Sequence, residues 1–526
     1  MSQLTYTQNL AQDFLAAKDL KKDKVLSLTQ VINNSRVQEE LQLISNLTKN
    51  RTISDLKGNL NGKEYQFVDL VLEGGVMLGI ALLGYTYALE KNNIRFLSIA
   101  GTSAGAITST LLACYGGDPE NSEKTASEWV LEILLEKINK RDQDNNCGLA
   151  DFVDLKDESK DLGHKFLNNL KKTKTKEQKK KETNNFLKQV KKLIREIFNN
   201  APFDATISVV SLWLKNLTDD KNTLGLLDKK DILYKLIDKN YINPNKAFPN
   251  WIKGLLEEQN ALTVENFRKN RLEYLKKFDF QENKIDFNNE WFLEHFKIVA
   301  TDLTTSSKVA FPKMARLYCK NWENSTDFSV GDYVAASMSV PFFFKHFEIS
   351  DLPPDTKEDW ENLTGYTGEI PSKAVFTDGG IASNFPIDSF HTKTGNPKCP
   401  TLGVKLGDDR SASFHFRQAW IKDAKDYKPH GINDTGNIAE FTSSILNTAR
   451  QMGDFEFIHK NPDYKQLVSW IKVDENQAFN FAMSNDELID LFLEGVKAAR
   501  IFLSEKRDST EYFFDWEQYK QFRKAI

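Results

Sequence analysis

The sequence predicts an α/β sandwich, a sheet covered by helices, and three observations support this fold class. A buried, β-branched strand pattern at Tyr65–Glu73 leads through a glycine-rich turn into a helical pattern over 79–93. A second strand pattern, Phe96–Ala100, leads through another glycine-containing turn into a second helix at 106–115. Strand–turn–helix units repeated in this way are typical of an α/β sandwich. Strand patterns then return in the second half of the chain, at 296–303, 374–380, 401–406 and 467–473.

The remaining segments divide the chain into a lead-in, a main domain and a tail. Residues 1–62 carry apolar residues at helical spacing and end in a turn-prone stretch, which predicts a helical N-terminal lead-in. The main domain is predicted over 63–505, with a large helical, lysine-rich insertion at about 118–290. Residues 506–526 are predicted to form a C-terminal tail. Within the main domain, 351–371 reads as a surface loop.

Composition and charge exclude several classes of protein. The 526 residues include 70 lysines and arginines and 74 aspartates and glutamates, and the net charge of −4 excludes an overall cationic nucleic-acid-binding protein. The four cysteines are far apart and form no CxxC pair, so neither a disulfide scaffold nor a metal site is predicted.

Hydropathy sets the expected location. The most apolar long stretch, 70–89, contains Glu73 and four glycines, which excludes it as a membrane span. The first residues are polar and lack the apolar region of a signal peptide. We therefore expect a cytoplasmic protein that is at most peripheral to a membrane.

The pentapeptide Gly101-Thr102-Ser103-Ala104-Gly105 lies directly between a predicted strand and a predicted helix. In such a nucleophile elbow, the two glycines permit a tight turn that projects the serine hydroxyl above the sheet. The first turn of the following helix directs free N–H groups towards developing negative charge. Ser103 is therefore a candidate nucleophile, and the alternative is a serine that merely caps the helix.

A glycine-rich turn, Glu73–Gly79, connects the first strand to its helix. Backbone amides of such a turn can approach an oxyanion or a phosphate. The P-loop and dinucleotide-binding patterns are absent from the turn, and the alternative is a turn that needs glycine only for its backbone angles. The candidate oxyanion-hole residues are Gly74, Gly75, Val76 and Gly79.

A third turn, Asp378-Gly379-Gly380, also follows a strand directly. An aspartate at the carboxyl end of a strand lies at the sheet edge where sites form in α/β proteins. As a lone motif, however, this tripeptide is more often only a turn.

In this chain order the three motifs resemble those of the patatin-like phospholipase family, which has a glycine-rich oxyanion loop, a GxSxG elbow and an Asp-Gly-Gly. The resemblance covers about 66–120 and 293–500, and the segments 298–312, 335–349 and 378–388 also resemble the family. It implies a three-layer αβα patatin-like sandwich, to which this chain adds the helical lead-in and insertion. It also implies no cofactor.

The resemblance further implies a lipid acyl hydrolase of the phospholipase A or lysophospholipase type, with membrane phospholipid or lysolipid as substrate. Ser103 would attack the ester carbonyl and Asp378 would accept its proton, without a histidine. Amides around Gly75 and Val76 would stabilise the oxyanion before water hydrolyses the acyl-enzyme. The chain departs from the family at Val76 and Leu78, which replace a glycine and a basic residue, so the headgroup preference is not predicted.

Three alternatives remain open at this point. An inactive patatin-fold interaction protein is compatible with the altered loop and the large insertion. An acyltransferase would use the same dyad, with an alcohol or thiol in place of water. A Ser–His–Asp triad of the α/β-hydrolase type would use one of the histidines downstream of the serine: His391, His415, His430 and His459.

The insertion contains a strongly basic segment, Lys171–Phe198, with ten lysines and one arginine against three glutamates, a net charge of +8. Its second half places apolar residues at helical spacing beside these lysines. This pattern slightly favours a solvated helix that packs on the domain, and the alternative is a helix that lies on an anionic membrane surface. Nucleic acid is not expected, because no aromatic residues interleave with the basic cluster. The sequence predicts no oligomeric state.

Overall fold

The structure is a computed structural model of the chain. It describes residues 25–49, 51–115, 124–140, 241–280, 285–393, 395–407, 438–473, 483–504 and 514–525. The basic segment Lys171–Phe198, together with His415 and His430, lies outside the described residues.

The described residues form eleven strands. They are β1 (Lys57–Leu60), β2 (Lys63–Leu72), β3 (Ile94–Thr102), β4 (Tyr241–Asn243), β5 (Phe296–Asp302), β6 (Ser307–Phe311), β7 (Phe342–Phe344), β8 (Phe347–Ser350), β9 (Lys373–Asp378), β10 (Thr401–Gly407) and β11 (Val468–Lys472).

Fourteen α-helices are present in the same part of the chain. They are α1 (Leu28–Ile32), α2 (Ser35–Thr48), α3 (Gly79–Lys91), α4 (Ala104–Cys114), α5 (Ala126–Asn139), α6 (Ala247–Glu258), α7 (Val264–Lys276), α8 (Asn289–His295), α9 (Val330–Ser337), α10 (Lys357–Thr364), α11 (Gly380–Ser383), α12 (Ile438–Lys460), α13 (Asn485–Leu503) and α14 (Trp516–Ala525).

Nine of these strands form one mixed sheet in the order β11–β10–β2–β3–β5–β9–β8, with β1 paired to β2 and β6 paired to β5. The five strands from β11 to β5 are parallel, and β9 and β8 continue the sheet in antiparallel orientation. The central strands are buried along nearly their whole length, as expected when helices cover both faces of a sheet.

The strand register brings two chain segments together that are far apart in sequence. Thr102, the last residue of β3, pairs with Val299 of β5. Asp378, the last residue of β9, pairs with the next residue of β5, Ala300. The turns that follow β3 and β9 therefore begin side by side at the middle of β5.

Two helices that are also distant in sequence, α3 and α13, pack against each other at unusually close range. A Cβ atom on Gly84 of α3 would lie 1.9 Å from the carbonyl oxygen of Phe492. A Cβ atom on Gly495 of α13 would lie 1.9 Å from the carbonyl oxygen of Ala81. Only glycine at both positions permits this contact, which holds α3 in place behind the turn that precedes it.

The predicted fold class is confirmed, since a mixed sheet is flanked by helices, but two local predictions were wrong. The lead-in is not helical throughout, because Lys57–Leu60 forms β1 and pairs with β2 across a turn at Asn61–Gly62. The predicted surface loop 351–371 contains α10, whose Trp360 is buried against Tyr318 with ring centroids 5.2 Å apart. The part of the chain that the structure describes contains no helix with both the length and the apolar character needed to cross a membrane.

Candidate active site

Ser103 lies in a strained turn between β3 and α4. Its backbone has φ +53° and ψ −119°, a region that residues with a side chain rarely adopt. Gly105 allows α4 to begin directly over the end of β2, because a Cβ atom there would lie 2.3 Å from the carbonyl oxygen of Leu72. A strained serine between a buried strand and a helix has the geometry of a nucleophile elbow.

The elbow is tied to β5 by a second serine. The backbone N–H of Ser103 donates to Oγ of Ser337 at 2.8 Å, and the Ser337 hydroxyl donates to the carbonyl oxygen of Val299 at 2.6 Å. The Ser103 hydroxyl itself is directed at Sδ of Met338, 3.5 Å away. Ser337 and Met338 thus fix the main chain and the resting side chain of Ser103.

Asp378 ends β9 with its carboxyl group fully buried. Oδ1 accepts a hydrogen bond from the N–H of Gly380 at 2.7 Å, whereas Oδ2 has no hydrogen-bond partner among the described residues. Burial raises the pKa of Asp378, and the neighbouring Ser103 hydroxyl, the charge of Arg450 and the Gly380 N–H act in the opposite direction. The structure therefore brings Ser103 and Asp378 together.

In the glycine-rich turn after β2, two of the four candidate oxyanion-hole residues have a backbone donor that is unused among the described residues. The N–H of Gly74 donates to the carbonyl oxygen of Asn384 at 3.0 Å, and that of Gly79 donates to carbonyl groups within the turn. Gly75 and Val76 donate no hydrogen bond to any residue that the structure describes. Among the four candidate oxyanion-hole residues, these two have amides available to a ligand.

Val76 occupies the place of a glycine in the family pattern. Its φ is +49°, which is unusual for any residue with a side chain and most unfavourable for a β-branched one. Leu78, at the place of the family's basic residue, is 2% exposed and belongs to the hydrophobic core. The turn therefore keeps a glycine-like backbone and has no charged side chain at position 78.

A buried ion pair anchors this turn to β10. The carboxylate of Glu73 accepts hydrogen bonds from Nζ of Lys405 and from the backbone N–H of Leu406, both at 2.6 Å. Nζ of Lys405 also lies 4.5 Å from the ring centroid of Phe385 and 5.2 Å from that of Trp470. Sequence analysis missed Lys405, although a lysine within an otherwise apolar strand pattern was a signal for a buried charge.

The segment that follows Asp378 is fastened to β3 and α12. Oγ1 of Thr102 donates to the carbonyl oxygen of Ser383 at 2.9 Å. Oδ1 of Asp454 accepts from the Ser383 hydroxyl at 2.6 Å, and Oδ2 accepts from the N–H of Phe385 at 2.8 Å. Burial raises the pKa of Asp454 to about 6. Gly379 lies against β5, where a Cβ atom would be 2.0 Å from the carbonyl oxygen of Val299.

Arg450 lies close enough to the site to affect Asp378, although no sequence pattern predicted this. Arg450 of α12 acts on the carboxyl of Asp378 through its charge, and no motif in the sequence marks it.

The histidines that a Ser–His–Asp triad would need are not bonded to Ser103. Nδ1 of His391 lies 3.1 Å from Oη of Tyr464. Within the described ranges neither His391 nor His459 forms a hydrogen bond with Ser103.

Comparison with known proteins places this chain in a family. A family model described as Patatin-like phospholipase matches residues 70–391. The uncharacterized protein YqhO of Bacillus subtilis (strain 168) is 22% identical over 439 residues, which cover 84% of this chain and 99% of YqhO. The crystal structure of VipD from Legionella pneumophila aligns with 92% of this chain and 80% of its own at 14% identity, with a TM-score of 0.29. Because the family model spans more than half of the sequence, the chain belongs to the patatin-like phospholipase family.

Proposed function

We propose that the protein is a lipid acyl hydrolase that cleaves ester-linked fatty acids from phospholipids or lysolipids through a dyad of Ser103 and Asp378. Membership of the patatin-like phospholipase family supports lipid hydrolysis in general. The observation that carries the dyad is the strained Ser103 beside the buried carboxyl of Asp378. No cofactor takes part in this proposal.

Acylation begins with the transfer of one proton between the two side chains. Oδ2 of Asp378, the oxygen without a partner among the described residues, accepts the proton of the Ser103 hydroxyl. Oγ of Ser103 then attacks the ester carbonyl carbon. When the tetrahedral intermediate collapses, the alcohol leaves with the proton from Asp378, and the fatty acyl group remains on Oγ as an ester.

The raised pKa of Asp378 suits this role. A carboxylate with an ordinary pKa is a weak base towards a serine hydroxyl, and burial strengthens it by disfavouring its charged form. The charge of Arg450 acts in the opposite direction and limits this increase in the pKa. The Asp378 carboxylate is therefore a stronger base than that of an exposed aspartate.

The amides of Gly75 and Val76 supply the oxyanion hole of the proposal. Neither N–H group donates to a described residue, and the turn that carries them borders Ser103. Removing one such donor from an acyl-transfer enzyme typically costs about 2.7–4 kcal/mol of transition-state stabilisation. Main-chain donors make the oxyanion hole independent of the side chains at positions 76 and 78.

The decisive test is covalent labelling of Ser103 by a fluorophosphonate, combined with turnover of a short-chain nitrophenyl ester. Ser103→Ala should abolish both, and Asp378→Asn should abolish turnover because the isosteric amide cannot accept the proton. Ser109→Ala is the matched control, since Ser109 is a buried serine of α4 whose hydroxyl has no partner within the described residues. It should label and turn over like the parent.

Two results would contradict the dyad. Ser103→Ala that keeps a tenth of the parental turnover would exclude Ser103 as the nucleophile. A folded parent protein that neither labels nor hydrolyses any ester would favour the alternative of an inactive patatin-fold interaction protein.

We further propose that the basic segment 171–198 brings the enzyme to anionic membranes as a peripheral protein. Its charge of +8 supports this, because each basic residue near an anionic surface contributes about 1 kcal/mol. Hydrolysis of anionic vesicles should fall when its lysines are reversed to glutamate, while hydrolysis of a soluble ester stays unchanged. Vesicle binding that is insensitive to both the reversal and 1 M salt would contradict the proposal. The lysines to reverse are Lys179, Lys180, Lys181, Lys191 and Lys192.

A further inference from the structure

A third polar side chain, Asn384, lies close to Ser103 and Asp378. Asn384 is 7% exposed, and its Oδ1 is buried without a hydrogen-bond donor among the described residues. A Cβ atom on Gly74 would lie 2.6 Å from this oxygen and 3.0 Å from Cβ of Ser103. A Cβ atom on Gly380 would lie 2.7 Å from both this oxygen and Oδ1 of Asp378. The amide oxygen thus borders the two small residues that line the dyad.

Hydrogen bonding fixes which end of the Asn384 amide faces the dyad. Its Nδ2 group donates to Oε1 of Glu73 at 3.2 Å and to the carbonyl oxygen of Gly74 at 3.4 Å. Both partners are acceptors only, so a flipped amide would set its oxygen against two other oxygens. The NH2 group must therefore face Glu73, and the oxygen must face the glycines beside the dyad.

The partner of this amide is itself immobilised. Glu73 is held by Lys405 and by the backbone N–H of Leu406, both at 2.6 Å. Asn384 also keeps the turn in place through its main chain, because its carbonyl oxygen accepts the N–H of Gly74 at 3.0 Å. A rigid, buried acceptor without a donor is rare in folded proteins and is expected where a ligand supplies the donor.

The site therefore presents two unused acceptors beside the nucleophile, Oδ2 of Asp378 and Oδ1 of Asn384. Once Ser103 carries an acyl group, its hydroxyl proton is gone, and a new donor must occupy this space. Water carries two O–H groups, which match the two acceptors. We propose that Asn384 positions the water that hydrolyses the acyl-enzyme, an inference that rests on the proposed dyad.

In this step the water oxygen attacks the acyl carbonyl carbon and gives one proton to Asp378. The second O–H stays on the attacking oxygen and donates to Oδ1 of Asn384, which orients the lone pair towards the carbonyl carbon. Collapse of the tetrahedral intermediate breaks the bond between that carbon and Oγ of Ser103. Oγ takes back the proton from Asp378, and the fatty acid leaves.

Asn384→Ala separates this role from that of the dyad. The main-chain bond between Asn384 and Gly74 persists in the variant, so acylation should proceed within about twofold of the parental rate. Deacylation should slow about tenfold, the factor that corresponds to about 1.4 kcal/mol. With a nitrophenyl ester, the variant should release a burst of about one nitrophenol per active site, followed by a slow steady phase.

Competition between methanol and water gives a second readout that a merely structural role would not change. Methanol has a single O–H group, which it gives to Asp378, so it loses nothing when Asn384 is replaced. The ratio of methyl ester to fatty acid among the products should therefore rise about tenfold in Asn384→Ala, in proportion to the slowed hydrolysis. Asn384→Ser, whose shorter side chain cannot reach the same position, should show the same trend and serves if the alanine variant does not fold.

The matched control is Ile387→Val, which alters packing in the same segment without changing a polar atom at the dyad. It should leave the burst and the product ratio unchanged. A variant of Asn384 in which burst and steady phase slow equally, with an unchanged product ratio, would overturn the proposal and assign the amide to holding the turn. Unchanged kinetics would overturn it as well. Absence of labelling in the parent protein, in contrast, would refute the dyad itself.

Discussion

At the scale of single residues, Val76 shows how the chain departs from its family and keeps a glycine-like turn. A β-branched residue at φ +49° is strained, and strain of this kind typically costs about 1–3 kcal/mol. The backbone amide of Val76 donates no hydrogen bond to a described residue. The strain therefore maintains an orientation of the N–H group that the proposed oxyanion hole requires.

At position 76 glycine should give a more stable protein than alanine, the reverse of their usual order of stability. Val76→Gly should be more stable than Val76→Ala by about 1 kcal/mol, because only glycine adopts a positive φ without strain. Val76→Gly should also keep ester turnover, since the amide remains in place. Urea unfolding of both variants measures the difference, and a more stable alanine variant would show that the turn can relax to negative φ.

From the sequence, we could predict those candidate site residues that belong to contiguous motifs. Ser103 and Asp378 could be predicted because each follows an apolar strand within a glycine-containing turn. Lys405 and Arg450 could not, because their relation to the site depends on which strands and helices become neighbours in space. Asn384 was part of a recognised segment, but its role depends on the direction in which its amide points.

At the scale of elements, the pair of Glu73 and Lys405 links β2 to β10 across the sheet. Both side chains are less than 10% exposed, and Glu73 is the residue that directly precedes the glycine-rich turn. Buried ion pairs contribute little net stability, yet removal of one partner leaves a buried charge without compensation. The free energy of unfolding should therefore fall most when only one member of the pair is replaced.

Lys405→Met should destabilise the protein by about 3–5 kcal/mol, because the Glu73 carboxylate stays buried without its cation. The double variant Glu73→Gln with Lys405→Met should recover most of this loss, because no charge remains in the interior. Urea unfolding of the two single variants and the double variant forms a complete cycle. Additive losses in that cycle would show that the two groups do not interact.

The length and burial of each element explain whether it could be predicted from the sequence. Strands β2, β3, β5 and β10 are buried along most of their length, and their apolar residues predicted them as strands directly. The strand β1 was missed because it is short and its pairing depends on its neighbour β2. The helix α10 was missed because a single residue, Trp360, anchors a charged and otherwise exposed segment.

At the scale of the whole molecule, a second buried carboxyl affects stability over a wide pH range. Asp69 lies in the middle of β2, and burial raises its pKa from 3.8 to about 7, although Ser98 and Cys399 act in the opposite direction. Between about pH 4 and 7, Asp69 is therefore protonated in the folded protein and ionised in the unfolded chain. Over this range the contribution of Asp69 to the free energy of unfolding falls as pH rises.

Asp69→Asn should flatten this dependence, since an amide does not titrate. We expect the variant to gain stability relative to the parent as the pH is raised from 4 to 8. The difference in the free energy of unfolding should grow between about pH 4 and 7, where Asp69 is ionised only in the unfolded chain. Urea unfolding at several pH values measures it, with Asp55→Asn as the exposed control. Parallel curves for Asp69→Asn and the parent would show that Asp69 does not control the pH dependence.

The meeting of β3 and β9 on β5 has a consequence for the synthesis of the protein. The ribosome completes the turn that holds Ser103 long before it reaches Asp378, because the whole of 104–377 lies between them. An unfinished chain therefore carries the proposed nucleophile without its base, and a truncated product stays in that condition. The order of these elements along the chain thus delays assembly of the proposed dyad until translation has passed β9.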